Sequence, residues 1–428
     1  MTTSTDYNKA VTPLPWYREI SSAQWNVLLA AQLGWMLDAM DVLLYNFALT
    51  TLQGVFNFQT DTAGLLASVT LLASAVGGIG FGVIADRIGR TRALIITILL
   101  YSLCSAGTAT SRSIAELLIW RTLLGIGLGG EWSSGAVLVS ESWPARHRGK
   151  AIGIMQSGWA LGYIAAALLA AAILPLGSYG WRLLFLAGIA PALLTIWIRR
   201  TVPESKIWLA RTNLQKSGIG LKAIFAGELK SRTLIATLLT ASVLFAYWGL
   251  FSWLPGFLST PQSKGGAGMT IVKTAGWIIP MQIGAFFGYI TFGFIADRFG
   301  RRPTFIAYLL SSAILVPIYG QLGRSELALM ALGPFIGFFG SGYFSLFGAM
   351  LSELYPTAIR ATGQGFTYNA GRAASALAPY AIGRLALTSG VGSALALTSA
   401  FFLLAAILIL FLPETKGQDL DAAACSSD

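Results

Sequence analysis

Apolar runs long enough to cross a hydrocarbon core recur twelve times along this chain of 428 residues. They fall near 25–50, 62–85, 93–110, 114–139, 151–174 and 181–198, then near 233–254, 274–295, 303–320, 328–351, 362–386 and 394–412. About 20 apolar residues cross a core ~30 Å thick as a helix. Lipid offers no partner for a free backbone N–H or C=O, so each run must satisfy its own backbone and is read as a helix. Composition agrees: 55% of residues are hydrophobic and 11% are Asp, Glu, Lys or Arg, against roughly 25% charged in soluble domains. The sequence therefore predicts an all-α membrane protein with twelve transmembrane helices.

The net charge of +11 sits in short loops and not in one stripe interleaved with aromatics, which argues against nucleic acid as a partner. Arg87, Arg90 and Arg92 follow the second run, Arg146, Arg148 and Lys150 the fourth, and Arg298, Arg301 and Arg302 the eighth, while alternate loops hold mainly Arg112, Lys264, Lys273 and Arg324. Basic loops stay in the cytoplasm, so both termini and the basic central loop are expected there, in a multi-pass protein of the plasma (inner) membrane. The start of the chain lacks an apolar core followed by a small-residue cleavage site, so no signal peptide is expected. Trp16, Tyr17 and Trp25 suit the headgroup level. Cys104 and Cys425 are too far apart in environment to suggest a disulfide or a metal site. No phosphate-cradling or zinc-binding motif is present, so no cofactor or metal is expected, and neither is enzyme chemistry.

The chain repeats itself. GVIADRIGR at Gly82–Arg90 recurs as GFIADRFGR at Gly293–Arg301, an offset of 211. ESWPARHRG from Glu141 returns loosely as ELYPTAIRA from Glu353, offset 212, and PES at Pro203 returns as PET at Pro413, offset 210. Internal repeats of this kind mark transporters with a cavity between two halves. The division expected is a six-helix bundle over 1–198, a central loop over 199–232, a second bundle over 233–412 and a tail over 413–428.

The loop sequence G-x-x-x-D-R-x-G-R, present twice with Asp86 and Asp297, together with twelve runs and a central loop, resembles the major facilitator superfamily over nearly the whole chain. Within it, DAMD at Asp38–Asp41, GLGGEWSSG at Gly127–Gly135, ESWP at Glu141–Pro144 and YNAGR at Tyr368–Arg372 are most similar to the sialate:proton symporter family of sialic acid and lactate permeases. The chain lacks the extra hydrophobic segments of the former and the span 7 histidine motif of the latter, so the resemblance leaves the substrate open. It implies two pseudo-symmetric six-helix bundles that rock about a central site. It also implies a conformational latch at the cytoplasmic face, in which Asp86, Arg87, Arg90, Asp297, Arg298 and Arg301 work with the companion charges Glu141, Arg148, Glu353 and Arg360. Solvated loop charge alone explains the arginines but not the repeated acids and glycines.

Ionisable groups inside spans cost at least about 2.5–3.5 kcal/mol each at a helix centre and mark function. Asp38 and Asp41 are three residues apart, on one helix face. Two carboxylates sharing a low-dielectric site do not both ionise readily, which suits a proton carrier; alternatively they neutralise Arg121. At 1.5 Å per residue Asp41 lies about 24 Å, and Arg121 about 20 Å, above the cytoplasmic side, so an Asp41–Arg121 pair is expected. Glu131, in a glycine-rich run, is a further proton-site candidate or a structural hydrogen-bonding group. His147, the only histidine, lies in a loop.

Arg372 lies about 15 Å into the eleventh span and offers a planar fork for a carboxylate, with a structural contact as the alternative. Tyr368, Asn369, Gln156, Trp159, Tyr247, Trp248, Gln282 and Tyr343 are the remaining pocket candidates, although most aromatics in such a chain serve packing or interface anchoring. Arg384, nearer the outer end, can snorkel and receives no role. The function expected is proton-coupled symport of a small organic anion (a monocarboxylate, sialic acid or an aromatic acid), by a monomer in the lipid bilayer. A sugar facilitator is the alternative, since PESKIWL and PETKG resemble sugar-porter signatures.

Overall fold

The computed structural model describes residues 16–204, 209, 221–323, 325–355 and 360–414. Ser21 opens the first helix with a reciprocal cap: its hydroxyl accepts from the Gln24 N–H, and the Gln24 side chain accepts from the Ser21 N–H at 2.9 Å. Ser113 and Thr270 cap two others with the hydroxyl alone, accepting from the Glu116 and Lys273 N–H groups and so supplying an acceptor that the first turn otherwise lacks. The first half holds α1 (Ser22–Phe56), α2 (Thr60–Ile88), α3 (Arg90–Thr108), α4 (Ile114–Ser142), α5 (Ala145–Ile173), α6 (Gly180–Ala187) and α7 (Pro191–Thr201). The second holds α8 (Leu229–Ser259), α9 (Ile271–Phe299), α10 (Arg301–Gln321), α11 (Glu326–Gly342), α12 (Phe344–Glu353), α13 (Arg360–Ser375), α14 (Ala378–Ser389) and α15 (Val391–Leu408).

These fifteen helices make twelve spans, because three runs read as single helices are broken. The sixth span is α6 and α7, interrupted at Gly188 and restarted by Pro191. The tenth is α11 and α12, divided at Tyr343 just after Gly342. The eleventh is α13 and α14, divided ahead of Pro379, which has no N–H to continue the ladder. Hydropathy does not locate these breaks, since it does not register a missing backbone hydrogen bond. Among the described residues nine helical segments are long and apolar enough to cross a membrane by length and composition.

The halves are built alike. α2 lies along α4 as α9 lies along α11, α1 against α5 as α8 against α13, and α3 against α7 as α10 against α15. Glycines explain the closest of these contacts. A Cβ on Gly77 would strike the Ile126 carbonyl, and one on Gly288 the Phe338 carbonyl; a Cβ on Gly125 would strike the Thr70 carbonyl, and one on Gly337 the Met281 carbonyl. The partners in each comparison are 211 or 212 residues apart, the spacing of the repeat. Small residues that let backbones touch are how helices associate without a hydrophobic driving force. Across the halves, α5 packs on α9, α2 on α13 and α14, and α1 on α8.

The two G-x-x-x-D-R-x-G-R motifs end in helix starts. Gly89 (φ 104) and Gly300 (φ 101) turn the chain in conformations that L side chains rarely adopt. The first N–H groups of α3 then donate to Glu204: Arg90 N at 2.9 Å and Thr91 N at 3.2 Å. Those of α10 donate to Glu414: Arg301 N at 3.0 Å and Arg302 N at 2.9 Å. A carboxylate there also complements the helix dipole. The PES and PET echoes are therefore caps, each reaching back from the end of its half.

Candidate functional site

α1 carries Asp38 and Asp41, α4 carries Arg121 and Glu131, and α13 carries Arg372; all five are almost wholly buried. Arg121 and Arg372 meet at one cavity between the halves. It measures about 20 Å³, room for roughly one water. Val42 and Asn46 of α1, Thr70 and Ser74 of α2, Arg121 of α4, Trp248 and Ser252 of α8 and Arg372 of α13 are among its walls. The Arg121 Nε and Nη1 and the Asn46 Nδ2 are buried donors without a hydrogen-bond partner. The Arg121 guanidinium lies 4.6 Å over the Tyr45 ring, a contact that fixes its plane. Tyr45 is held in turn by its hydroxyl, which donates to the Ala63 carbonyl at 2.8 Å.

The two aspartates part company. Asp41 faces the interior of its own bundle, where the Ser105 hydroxyl donates to its Oδ1 at 3.2 Å and a Cβ on Gly188 would collide with it. The Asp41–Arg121 ion pair expected from their depth does not form: the two feel each other's charge, but α3 and α6 hold the carboxylate while Tyr45 holds the guanidinium. Equal depth fixes height and not azimuth. Asp38 instead lies within electrostatic reach of Arg372, across the boundary between halves. Glu131 sits beside Asp38 and against Gly34, with neither carboxylate oxygen hydrogen-bonded. The buried Tyr101 hydroxyl neighbours all three acids.

Four of the aromatic candidates join one path. Trp35 and Trp159 are 4.6 Å apart between centroids, Trp159 and Trp248 5.7 Å, Trp248 and Tyr247 5.6 Å, Tyr247 and Phe344 5.1 Å, and Phe344 and Tyr343 4.7 Å. The path crosses from α1 and α5 to α8 and the break in the tenth span. Of the four only Trp248 lines the cavity. Tyr368 lies within electrostatic reach of Arg372. Asn369 donates to the Gly365 carbonyl at 3.0 Å, and its oxygen lies against Gly78 of α2, so it packs the halves together. Gln156 and Gln282 are buried on α5 and α9 without lining the cavity.

Of the latch residues, Arg90 and Glu141 approach to 3.6 Å, and the Arg90 Nη1 donates to the Ala85 carbonyl at 2.9 Å. Both lie in the first half, so this contact ties α3 to the end of α4. Arg87 and Arg298 are exposed, while Arg301 starts α10. The side chains of Asp86, Arg148, Asp297, Glu353 and Arg360 lie outside the described residues.

Sequence reasoning missed Asn46, Thr70, Ser74 and Ser252. Asn46, five residues beyond Asp41 in an apolar run, was a legible signal; Ser and Thr are too common in such helices to be one. It also missed Arg384, which reaches Asp61 of the other half at 3.7 Å. Beside them at the end opposite the basic loops opens a vestibule of about 950 Å³ lined by Gln53, Gln59, Trp253 and Lys264 among others. Consecutive residues of α8 line the two, Ser252 the cavity and Trp253 the vestibule.

Twelve spans in two repeated bundles with a charged cavity between them define a membrane transporter of the alternating-access kind. The chain belongs to the Major Facilitator Superfamily, whose family model matches residues 32–279 and 269–424. It is similar to the cis,cis-muconate transport protein of Acinetobacter baylyi, 32% identical and covering 93% of this chain and 96% of that one. It is also similar to the sialic acid transporter of Escherichia coli, 28% identical over 93% of this chain and 95% of that one. Its fold matches the crystal structure of a D-xylose-proton symporter with a TM-score of 0.76 at 22% identity, covering 93% of this chain and all of that chain.

Proposed function

We propose that this protein is a secondary active transporter that carries a small organic acid, as its anion, together with a proton. The observation that carries the reading is the placement of Arg121 and Arg372, one from each half, on one buried cavity with guanidinium donors of Arg121 unsatisfied. Buried cations aimed at an inter-half cavity fit an anionic cargo, and relatives named for muconate and sialic acid carry acids. Asp38 is the proton site: its ionised form holds Arg372, and its protonation releases the guanidinium to the substrate. Asp41 and Glu131 set the field around it. The transporter works as a monomer in the plasma (inner) membrane, with both termini and the central loop in the cytoplasm and the vestibule facing outward.

Uptake of labelled lactate, sialic acid and benzoate into proteoliposomes, with and without an inward proton gradient, tests this. Accumulation of at least one acid that requires the gradient, and is abolished in Arg372→Ala, is the expected result. Equilibration indifferent to the gradient, or transport of neutral sugars alone, would overturn it.

A further inference from the structure

The vestibule has the size and the lining of a binding site. Its volume of about 950 Å³ falls within the range of roughly 300–1,000 Å³ usual for pockets that hold small organic ligands. Both halves line it, with Gln53 of α1 on one side and Trp253 of α8 and Val391 of α15 on the other. Lys264 is the one charged residue on its wall among the described residues, and it is in no ion pair. The acids described at that end are engaged elsewhere: Asp61 with Arg384 at 3.7 Å, Glu326 with Lys273 at 2.7 Å, and Glu116 with the Arg112 N–H at 2.8 Å. The loop that carries Lys264 is held on two sides. It folds back on α8, where the Ala267 N–H donates to the Phe257 carbonyl at 2.9 Å and the Met269 N–H to the Leu258 carbonyl at 2.8 Å. It also accepts, at the Gly265 carbonyl, from the Gly392 N–H of α15 at 3.1 Å. Leu49, Phe58 and Trp253 give the wall an apolar part, and the Trp253 ring is fixed by its N–H, which donates to the Pro379 carbonyl at 2.9 Å.

Building on the organic-acid reading above, we infer that the vestibule is a second, outer binding site for the carried anion. Lys264 takes the carboxylate, Gln53 and Gln59 offer amide N–H groups, and Leu49, Phe58 and Trp253 take the hydrocarbon body. A single cation beside an apolar wall suits a molecule with one charged end and one apolar end, whereas a neutral sugar brings nothing to pair with the lysine. The central cavity has room for roughly one water in this state, so the acid waits outside it. Ser252 of the cavity and Trp253 of the vestibule are consecutive residues, so cargo leaving the outer site is already beside the inner one.

The reporter is Ser263→Cys, next to Lys264 on the same wall, in purified carrier whose native cysteines are replaced by serine. Its rate of modification by an uncharged, water-soluble maleimide is measured with and without lactate, sialic acid or benzoate, in the Arg372→Ala background that disables the central site. At least one acid should slow the modification, while the uncharged amides lactamide and benzamide should not. Lys264→Arg should keep the protection and Lys264→Gln should remove it. A charge contact at a solvent-facing lysine is modest, so Lys264→Gln alone should raise the KM for uptake of that acid about 2- to 5-fold. The change should fall on KM and not on Vmax. Should Arg372→Ala give no folded carrier, the protection comparison is made without it, and protection that survives Lys264→Gln overturns the outer site. Absence of protection by every acid, or an unchanged KM, also overturns it, and leaves the organic-acid reading standing where an acid still accumulates under a proton gradient. Failure of every acid to move under that gradient overturns both.

Discussion

Asp38 and Asp41 differ by one helical turn and by what surrounds them. The first looks across to Arg372 and the second is tied to Ser105 within its own bundle. Replacing Asp38 with Asn mimics the protonated state permanently. Such a carrier should still exchange labelled for unlabelled substrate across the bilayer but should no longer accumulate it when a proton gradient is imposed. Abolition of exchange as well would move Asp38 from proton carriage to binding. Gly34 bears on the same cluster, because a methyl group there would collide with the Glu131 carboxylate. Gly34→Ala should lower the melting temperature of the purified protein, with a cost of about 1–3 kcal/mol for an overpacked site. The identities of the buried charged residues were legible in the sequence, since an acid or an arginine inside an apolar run stands out. Their partners were not. Which neighbour Asp41 meets depends on rotation about the helix axis and on a gap at Gly188 that only packing reveals.

At the scale of helices, the same device appears twice wherever the repeat is strict. Gly77 and Gly288 each admit a carbonyl from the helix alongside, and Glu204 and Glu414 each cap the third helix of their half. Glu204→Ala and Glu414→Ala should each destabilise by about 0.5–2 kcal/mol, the usual cost of removing a helix cap. The drop in melting temperature in detergent should be similar for the two, and clearly unequal drops would count against equivalent roles. The spacing of the echoes was enough to expect two related bundles, but the reason for PES and PET lay in unsatisfied N–H groups more than a hundred residues earlier in the chain. Likewise the twelve runs announced the spans, whereas the breaks in the sixth, tenth and eleventh were hidden because hydropathy does not register a missing hydrogen bond.

For the whole molecule, the contact at the vestibule end is the one most exposed to test. Asp61 and Arg384 join the halves at 3.7 Å, and nearby the Tyr380 N–H donates to the Ser68 hydroxyl at 3.1 Å. Arg384→Glu places like charges there and should part the halves at that end. A cysteine introduced at Ser252, just below the vestibule, should then react faster with a water-soluble thiol reagent, and adding Asp61→Arg should return the rate toward its original value. An unchanged rate in the single variant would remove this contact from the gate.

The repeat is not strict everywhere, and its departure has a mechanical meaning. α4 and α5 run unbroken for 29 residues each, while their counterparts, the tenth and eleventh spans, are each divided into two helices. The first bundle has its own break, at Gly188 in the sixth span, but at these two positions it supplies a stiff beam where the second supplies a jointed arm. The tenth and eleventh spans therefore offer bending points, at Tyr343 and ahead of Pro379, that α4 and α5 lack. Arg121 sits on the beam and Arg372 on the arm, a few residues short of its elbow.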